Sequence, residues 1–310
     1  MNDRPSLADL VEVQSRFRLP LPALVEKDWY VVRALAAISE ADTGPFRLVF
    51  GGGTALSRAH GLLQRMSEDL DLKIVSDAPP SRTALRQLRE NITAKLIDTG
   101  FQFDPTNPEH RKSNFENRYT LYRLPYAPIA AGRGPLRPEI KIETSAWPLR
   151  RPTVARPVRS FIAEGFDRPA ELPEIACVAI VETAAEKFVA LTRRGGAELA
   201  GVQERRDPTL ARHIYDLWMI REHFALDEAA ELAREIMVAD AETYGHQFPA
   251  YRDDPLAETM RAVEGIAADP GFAASYATLL RDMVYGDAPA FETALTTLRS
   301  FAARLGQSGR

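Results

Sequence analysis

The sequence has almost no cysteine and no long hydrophobic run. Its 310 residues include one cysteine, Cys177, which excludes an internal disulfide and a cysteine-rich metal site. The longest apolar stretch, IACVAIV at 175–181, is far shorter than the about 20 residues that cross a bilayer. The opening residues, MNDRPSLADL, lack the basic-then-apolar pattern of a secretory signal. We therefore expect a cytoplasmic protein that does not contact a membrane.

A global excess of positive charge is also absent, since the net charge is −4. The charge is unevenly distributed, however. Residues 135–160 contain six Lys/Arg and two Glu, whereas residues 222–275 contain twelve Asp/Glu and three Arg. This asymmetry fits an anionic ligand on one side and a basic partner on the other. Two solvated surfaces of opposite sign explain it equally well.

Hydrophobic spacing predicts an α+β fold. Residues 6–40 and 82–99 show the periodicity of amphipathic helices. FRLVFGGG and SEDLDLKIV are typical of strands on either side of a short helix. FQFD, NRYTLYRLPY and PEIKIETSAW add three strand-like runs, spaced as in an antiparallel or mixed sheet.

The second half of the chain has a different pattern. The proline-rich, basic stretch WPLRRPTVARPVRS shows no regular structure and is the linker candidate. No strand is predicted beyond about residue 174, where helical periodicity begins, and the glycines at 195–196 are expected to end or interrupt the first helix. We predict N-terminal helices plus an α/β core over 1–162 and an all-helical C-terminal domain over 163–310.

The motif D-x-D at Asp69 and Asp71 is a candidate metal site. Strand side chains alternate, so both carboxylates should face one side while Leu70 and Leu72 face the core. Two carboxylates so close repel each other unless a cation lies between them. Mg²⁺ accepts such ligands and keeps positions for phosphate oxygens. A solvated polar strand face is the alternative, because D-x-D also occurs by chance.

Three glycines at 51–53 come shortly before this strand. Backbone N–H groups at such a strand-to-helix turn can bind a phosphate. The run is neither G-x-G-x-x-G nor G-x-x-x-x-G-K-[ST], so the Rossmann and Walker interpretations lack their required residues. A glycine turn ahead of a D-x-D strand is instead similar to the nucleotidyltransferase fold shared with DNA polymerase β.

A longer motif narrows this resemblance. GGTALSRAHGLLQRMSEDLDL resembles the G-G-[ST]-x-L and R-x-S-x-D-[ILV]-D signature of the AbiEii/AbiGii toxin nucleotidyltransferases, to which MenA/MenT-like toxins are related. The matching positions are Gly52, Gly53, Thr54, Leu56, Arg65, Ser67, Asp69 and Asp71. VEKDWYVVRAL, AAEKFVALTRR and ARHIYDLWMI resemble three further family segments, in the family's order, between residues 25 and 220.

The resemblance implies a role for each motif residue. Asp69 and Asp71 would hold Mg²⁺, with Mn²⁺ as the alternative, and a third carboxylate on a neighbouring strand would join them. Glu143 is favoured for that third position over Glu139, which shares its strand face. The NTP would be bound by five residues: Gly52, Gly53, Thr54, Arg65 and Ser67.

Two residues of the predicted helical domain complete the implied site. Lys187 would contact the nucleotide phosphates, and Asp216 would be an essential carboxylate. The C-terminal domain would thus contribute both residues to the active-site cleft. The alternatives are a lysine that extends outward to solvent and an i,i+4 ion pair between Asp216 and Arg212. His213 stands where many relatives have Asp, which leaves a second carboxylate in this motif in doubt.

The implied function is that of a Mg-dependent nucleotidyltransferase toxin in a bacterial toxin–antitoxin or phage-defence system. It would transfer NMP from NTP to an acceptor hydroxyl, with the tRNA 3′ acceptor end favoured, and thereby block translation. A cognate AbiEi-like antitoxin would be encoded nearby. The basic segment 135–160 and the tyrosines of NRYTLYRLPY are candidate RNA contacts. The alternatives are a protein or antibiotic acceptor, and a catalytically inactive relative that binds a partner.

Overall fold

A computed structural model describes residues 4–132, 134, 136–203 and 205–307. The chain forms two compact units, Met1–Val178 and Ala179–Arg310. Buried apolar side chains occur throughout both units.

The first unit contains a sheet and the helices that accompany it. In chain order its elements are α1 (Leu7–Phe17), α2 (Pro22–Ser39), β1 (Arg47–Gly51), α3 (Gly52–Thr54), β2 (Asp69–Val75), α4 (Arg82–Asp98), β3 (Arg111–Asn114), β4 (Tyr119–Pro125), β5 (Glu139–Ser145), β6 (Val154–Val158), α5 (Phe161–Gly165) and β7 (Leu172–Cys177). A π-helical turn over Ala55–Ala59 extends α3, and a 3₁₀ turn over Phe115–Asn117 connects β3 to β4.

The described strands form a seven-stranded sheet in the order β3-β4-β5-β2-β1-β7-β6. β2 is parallel to β5 and β1 is parallel to β7, while the other neighbours are antiparallel. Strand β2 alternates as its sequence predicts. Leu70, Leu72 and Ile74 are buried, whereas Asp69 and Asp71 are half-buried on the opposite face. The mixed sheet confirms the predicted α+β class.

Helix α4 also forms as predicted. Ser81 caps its N-terminus, because the Ser81 hydroxyl accepts a hydrogen bond from the backbone N–H three residues later at 3.1 Å. The predicted apolar stripe, Leu85, Leu88, Ile92 and Leu96, is buried. Burial of each such side chain contributes about 1.5–3 kcal/mol to stability. The stripe thus fixes which face of the helix is left for its arginines.

Two predictions for this unit are wrong, one of a strand and one of a linker. FQFD is not a strand, although Phe101 and Phe103 are buried. The edge strand that precedes β4 lies later in the chain, at β3. The proline-rich stretch predicted to be an irregular linker contains β6. Pro157 is compatible with β6 because this strand lies at the edge of the sheet, where one N–H needs no ladder partner.

Strand β7 determines where the first unit ends. The sequence predicts no strand beyond residue 174, but β7 continues to Cys177. It pairs with β1 through Phe50 and Cys177, and with β6 along its length. This pairing brings residues after 162 into the first unit, so the division follows Val178 rather than residue 162.

The regular elements of the second unit are helical, as predicted. They are α6 (Ile180–Leu199), α7 (Ala211–Ile220), α8 (Leu226–Tyr244), α9 (Pro249–Asp253), α10 (Pro255–Ala268), α11 (Pro270–Met283) and α12 (Phe291–Gln307), with 3₁₀ turns at Pro208–Leu210 and Arg221–His223. Within the described ranges, no helix combines the length and apolar character needed to cross a membrane.

The glycine pair at 195–196 does not end helix α6, which corrects the sequence expectation. A Cβ atom at Gly195 would lie 3.0 Å from Ile266 Cδ1 and 3.2 Å from Phe272 Cζ. These glycines therefore allow α10 and α11 to pack closely on α6. The packing requirement outweighs the low helix propensity of glycine.

Candidate active site

The glycine turn after β1 lies directly against the carboxylate of Asp71. Gly52 has φ +71°, in the left-handed region that favours glycine. A Cβ atom at this position would overlap the Asp71 carboxyl group. The backbone therefore approaches the carboxylate more closely than a larger residue would permit. A ligand at this point can contact the turn and the carboxylate together.

The rest of the turn is fixed to the segment that leads into β2. A Cβ atom at Gly53 would lie 2.6 Å from Arg65 Nη2 and 2.9 Å from Ser67 Oγ. Thr54 Oγ1 lies 2.9 Å from Ser67 Oγ and donates a hydrogen bond to the carbonyl oxygen of Asp69. The structure thus brings the two halves of the sequence motif into contact.

The carboxylates of β2 have charged neighbours on β5. The parallel register pairs Asp69 with Lys141 and Asp71 with Glu143. Neighbouring strands lie about 4.8 Å apart, so Glu143 stands beside Asp71. Glu139 precedes the first paired position, and its Oε1 is 4.0 Å from an arginine of β4. The register therefore places Glu143, rather than Glu139, beside the aspartates.

Lys141 and Tyr119 stabilise this group of negative charges. Lys141 forms an ion pair with Glu143. Burial acts to lower the pKa of Lys141, but the charges of Asp69, Glu143 and Asp71 outweigh it and raise the pKa. Burial and the charge of Glu143, to which the Tyr119 hydroxyl is hydrogen bonded, raise the pKa of Tyr119. Both groups therefore remain protonated beside the carboxylates at neutral pH.

The donor atoms at this place suit a hard divalent cation. Among the described residues, no group of three or more carboxylate, histidine or cysteine side chains is already arranged to hold a metal ion. The Glu143 side chain instead engages Lys141 and Tyr119. Carboxylate oxygens are nevertheless the ligands that Mg²⁺ takes, and these carboxylates already hold one positive charge in contact, that of Lys141. The ligand roles of Asp69, Asp71 and Glu143 stay predictions.

The chain also matches a known protein family. The family model "Nucleotidyl transferase AbiEii toxin, Type IV TA system" matches residues 33–297, which is most of the chain. The chain belongs to the AbiEii nucleotidyltransferase toxin family. This membership confirms the family resemblance and the enzyme class predicted from the sequence.

A solved structure supports the fold of this AbiEii-family chain. MenT4, a nucleotidyltransferase toxin from Mycobacterium tuberculosis H37Rv, is 15% identical, with a TM-score of 0.52. The similarity covers 96% of the present chain and 89% of MenT4. At this identity the likeness concerns the fold alone. A search of curated proteins gives no match.

The E-K-D segment of the AbiEii-family chain is buried in the middle of α2. Glu26 Oε1 accepts a hydrogen bond from the backbone N–H of Ile129 at 2.8 Å. Lys27 is 1% exposed, and its Nζ donates to the carbonyl oxygens of Arg137 at 2.8 Å and Glu139 at 2.5 Å. It also lies 3.0 Å from Glu68 Oε2, one residue before β2. Lys27 therefore connects the start of β5 with the start of β2.

The third residue of this segment, Asp28, connects α2 with the region after the glycine turn. Its carboxylate accepts a hydrogen bond from the Phe161 N–H at 2.6 Å and lies 3.3 Å from Arg58 Nε. The Arg58 guanidinium also stacks on the Phe161 ring at 3.8 Å. Burial raises the pKa of Asp28 to about 6, against the opposing effect of Arg58. Asp28 thus fixes the π-helical turn that follows the glycines.

Within the second unit, the structure brings Lys187 and Asp216 together. Lys187 Nζ lies 2.7 Å from Asp216 Oδ2, and Asp216 is fully buried. The two sequence motifs on α6 and α7 therefore meet through their charged residues. Burial and the ammonium group of Lys187 hold the pKa of neighbouring His213 well below its usual range, so this histidine is neutral. The roles of Lys187 and Asp216 in a reaction remain predictions.

Sequence reasoning missed the structural role of the E-K-D segment and the contact between Tyr119 and Glu143. One signal was present in the sequence: α2 is apolar on every side of its three charges, and such a helix must bury them. No local signal reveals the contact of Tyr119, since it depends on strand register. The prediction that the nearby tyrosines contact RNA is wrong for Tyr122, which is fully buried.

We expect Gly52→Ala to perturb the site through its contact with Asp71. The matched control is Gly61→Ala, because Gly61 has φ +67° and a Cβ atom added there would meet no heavy atom within 4 Å. Left-handed strain should cost each variant about 1–2 kcal/mol. Gly52→Ala should lose more stability than the control, since its methyl group must displace the Asp71 carboxylate. Urea unfolding measures both, and equal losses would contradict the close approach.

Replacing Lys27 should loosen the connection between the two strands that carry the carboxylates. We expect Lys27→Met to lower the free energy of unfolding by about 3 kcal/mol, because buried carbonyl groups lose their donor and Glu68 loses its partner. The control is Lys95→Met, whose ion pair with Glu40 is exposed and 3.7 Å long. That change should stay within about 0.5 kcal/mol. Similar denaturation midpoints for the two variants would show that Lys27 does not have this role.

Proposed function

We propose that this AbiEii-family enzyme transfers a nucleoside monophosphate from an NTP to the 3′ acceptor end of a tRNA and thereby blocks translation. The observation that carries the proposal is the contact between the glycine turn and Asp71, with Glu143 beside that carboxylate. Backbone N–H groups of a kind that can bind phosphate and oxygen atoms of a kind that can bind a cation are thus adjacent, as nucleotidyl transfer requires. The family description supplies the reaction class and the toxin–antitoxin context.

Asp69, Asp71 and Glu143 are the residues that would hold Mg²⁺, or Mn²⁺ as the alternative. A divalent cation bound there supplies charge neutralisation for the triphosphate and for the attacking and leaving oxygens. When no nucleotide is bound, Lys141 would neutralise part of the negative charge on this face through its ion pair with Glu143. Tyr119 would hold the Glu143 carboxylate in place.

The turn residues divide between binding and positioning in this proposal. The backbone N–H groups of Gly52 and Gly53 would bind phosphate oxygens. Thr54 and Ser67 are buried and contact each other, so we assign them to the support of the turn as well as to the phosphate site. Arg65, whose guanidinium packs against Gly53, would add positive charge below the phosphates. Catalysis would then rest on positioning and electrostatics.

Lys187 and Asp216 are proposed to act in the same reaction. Lys187 would neutralise phosphate charge, and Asp216 would orient the lysine through their ion pair. A pair of apolar residues of similar size is often as stable as a buried ion pair. The presence of both charges in a buried place therefore favours a functional role over a purely structural one.

The cellular context completes the proposal. The type IV toxin–antitoxin description implies an antitoxin partner. We propose an AbiEi-like antitoxin encoded next to this gene, action in the cytoplasm, and a role in phage defence. A small helix-turn-helix reading frame immediately upstream would support this assignment.

Nucleotidyl transfer can be measured with each α-³²P-labelled NTP, Mg²⁺ and total bacterial tRNA, followed by gel electrophoresis. We expect label on tRNA with the wild-type protein and a loss of about a hundredfold or more in Asp71→Asn, because one carboxylate charge is removed. The control is Asp77→Asn, whose side chain is 99% exposed. This variant should retain full activity.

Each other outcome of this assay has a distinct meaning. Label on a protein or a small molecule would replace the tRNA acceptor and leave the reaction class intact. Equal activity of Asp71→Asn and wild type would refute the carboxylate site. Omission of Mg²⁺ and Mn²⁺ should abolish transfer, and undiminished transfer in EDTA would contradict the metal assignment.

The ion pair on α6 and α7 allows folding and activity to be separated. Lys187→Met should destabilise the protein by about 3–5 kcal/mol, because Asp216 is left buried without the ammonium group. The double variant Lys187→Met/Asp216→Leu should recover most of that stability. Transfer to tRNA should stay low in both variants. A double variant that regains stability and activity together would show that the pair is only structural.

A further inference from the structure

The turn between β3 and β4 exposes an aromatic side chain through an unusual backbone. Phe115, Glu116 and Asn117 have φ of 50°, 55° and 69°, the left-handed region, although none of them is glycine. Such a conformation persists only where its surroundings impose it, and it often marks a functional segment. As a result the Phe115 side chain projects from the surface and is 55% exposed. Its ring centroid lies 6.3 Å from that of Trp147, which follows β5.

A groove lined by positive charge reaches the same turn through Asn117. Its lining residues are Arg82, Thr83, Arg86, Arg89 and Asn117, from the first turns of α4 and the same left-handed turn. Arg89 Nη1 donates a hydrogen bond to Asn117 Oδ1 at 2.6 Å, which holds the helix and the turn together. Arg82 and Arg86 are exposed, and neither has an ion-pair partner in the described parts of the chain. Their charge is therefore available to an anionic ligand.

The turn is connected to the carboxylates of the candidate active site. Tyr119, two residues after Asn117, is hydrogen bonded to Glu143. Trp147 lies four residues beyond Glu143, about 13 Å along an extended chain. Lys112 of β3 is paired with Leu121, which is paired with Glu143, so its backbone lies about 10 Å from that of Glu143 on the same sheet row. Positive and aromatic groups thus continue from the carboxylates to the edge of the sheet.

These features match the chemistry of single-stranded RNA. Proteins bind single strands by stacking bases on exposed aromatic rings and by pairing the phosphates with arginine and lysine in a groove. Phe115 is exposed and Trp147 is half-buried, so the pair offers an aromatic surface to a base but not the extended apolar surface of a protein interface. The concentration of unpaired arginines is also local, since the chain as a whole has a net charge of −4.

We propose that Phe115, Trp147 and the arginines at the start of α4 form the docking surface for the single-stranded 3′ end of the RNA acceptor. This inference rests on the proposed transfer to RNA and adds where the acceptor binds. The aromatic pair would stack a base near the end, and Arg82 and Arg86 would contact phosphates further from the reacting hydroxyl. Glu143 and the aspartates would then meet the terminal ribose.

Two variants test the surface in different ways. Arg82→Glu/Arg86→Glu should weaken binding of tRNA at least tenfold at low salt and make the slope of log affinity against log salt shallower by about 1.4, as expected for two lost phosphate contacts on a single strand. Phe115→Asn should weaken binding about tenfold without changing that slope. Asparagine adopts left-handed backbone readily, so this variant should keep the turn intact.

The control variants carry the same change of charge, or a similar replacement of an exposed apolar side chain, in the second unit. Arg281→Glu/Arg299→Glu alters two exposed arginines of the second unit, and Val238→Asn removes an exposed apolar side chain of α8. Affinity is measured by fluorescence anisotropy with intact tRNA and with the same tRNA lacking its single-stranded 3′ end. The end-less tRNA should bind the wild type more weakly than intact tRNA binds either surface variant, because it lacks both the stacked base and the contacted phosphates.

The outcomes separate this inference from the proposed function. If wild type labels tRNA but both surface variants bind and react as wild type does, the docking surface is wrong and the transfer activity stands. If wild type neither binds nor labels tRNA, the acceptor proposal fails and this inference fails with it. A raised KM for tRNA with an unchanged KM for NTP in both surface variants would support the assignment.

Discussion

The repulsion among three carboxylates on neighbouring strands is the constraint on which the first unit depends. Asp71 and Glu143 are paired in the parallel register of β2 and β5, and Asp69 lies on the same face. At about 5 Å and an effective dielectric constant of about 20, two such charges repel by about 3 kcal/mol. The ion pair of Lys141 and the hydrogen bond of Tyr119 offset that repulsion. The glycine turn then fits against Asp71 because no side chain intervenes.

This arrangement requires the strands to be held in one register, and buried charges of α2 contribute to it. Lys27 donates to carbonyl groups at the start of β5 and pairs with Glu68 before β2. A buried charge is costly unless it is fully hydrogen bonded, so such a residue tolerates few alternative arrangements. The same cost makes the position of both strands specific. In this chain the E-K-D segment therefore holds in position the two strands that carry the carboxylates.

The second unit uses a buried charge differently. Lys187 and Asp216 lie on two helices and meet in an ion pair that stability alone does not require. The unit also accepts glycines within α6 because α10 and α11 pack closely on that helix. Packing thus fixes the positions of the helices. The ion pair fixes the orientation of Lys187, which lies in one of the family motifs.

Local patterns in the sequence determined the elements that carry the motifs. The alternation of β2, the stripe of α4 and the change to helices in the second half were all predicted, because each depends on residues close together in the chain. The motif residues from Gly52 to Asp71, together with three further segments between residues 25 and 220, also indicated the family. A lysine and an aspartate on α6 and α7 were identified by motif, although their mutual contact was not.

Strand pairing was decided only by the tertiary structure. The sequence favoured Glu143 over Glu139 only through the family resemblance, because both share a face of β5 and only the register with β2 distinguishes their positions. It also missed β6 and the end of β7, whose short, proline-containing or apolar sequences become strands through their neighbours. Contacts between residues far apart in the chain, such as Tyr119 with Glu143 and Lys27 with Glu68, have no local pattern. They exist because the folded sheet brings those residues within hydrogen-bond distance.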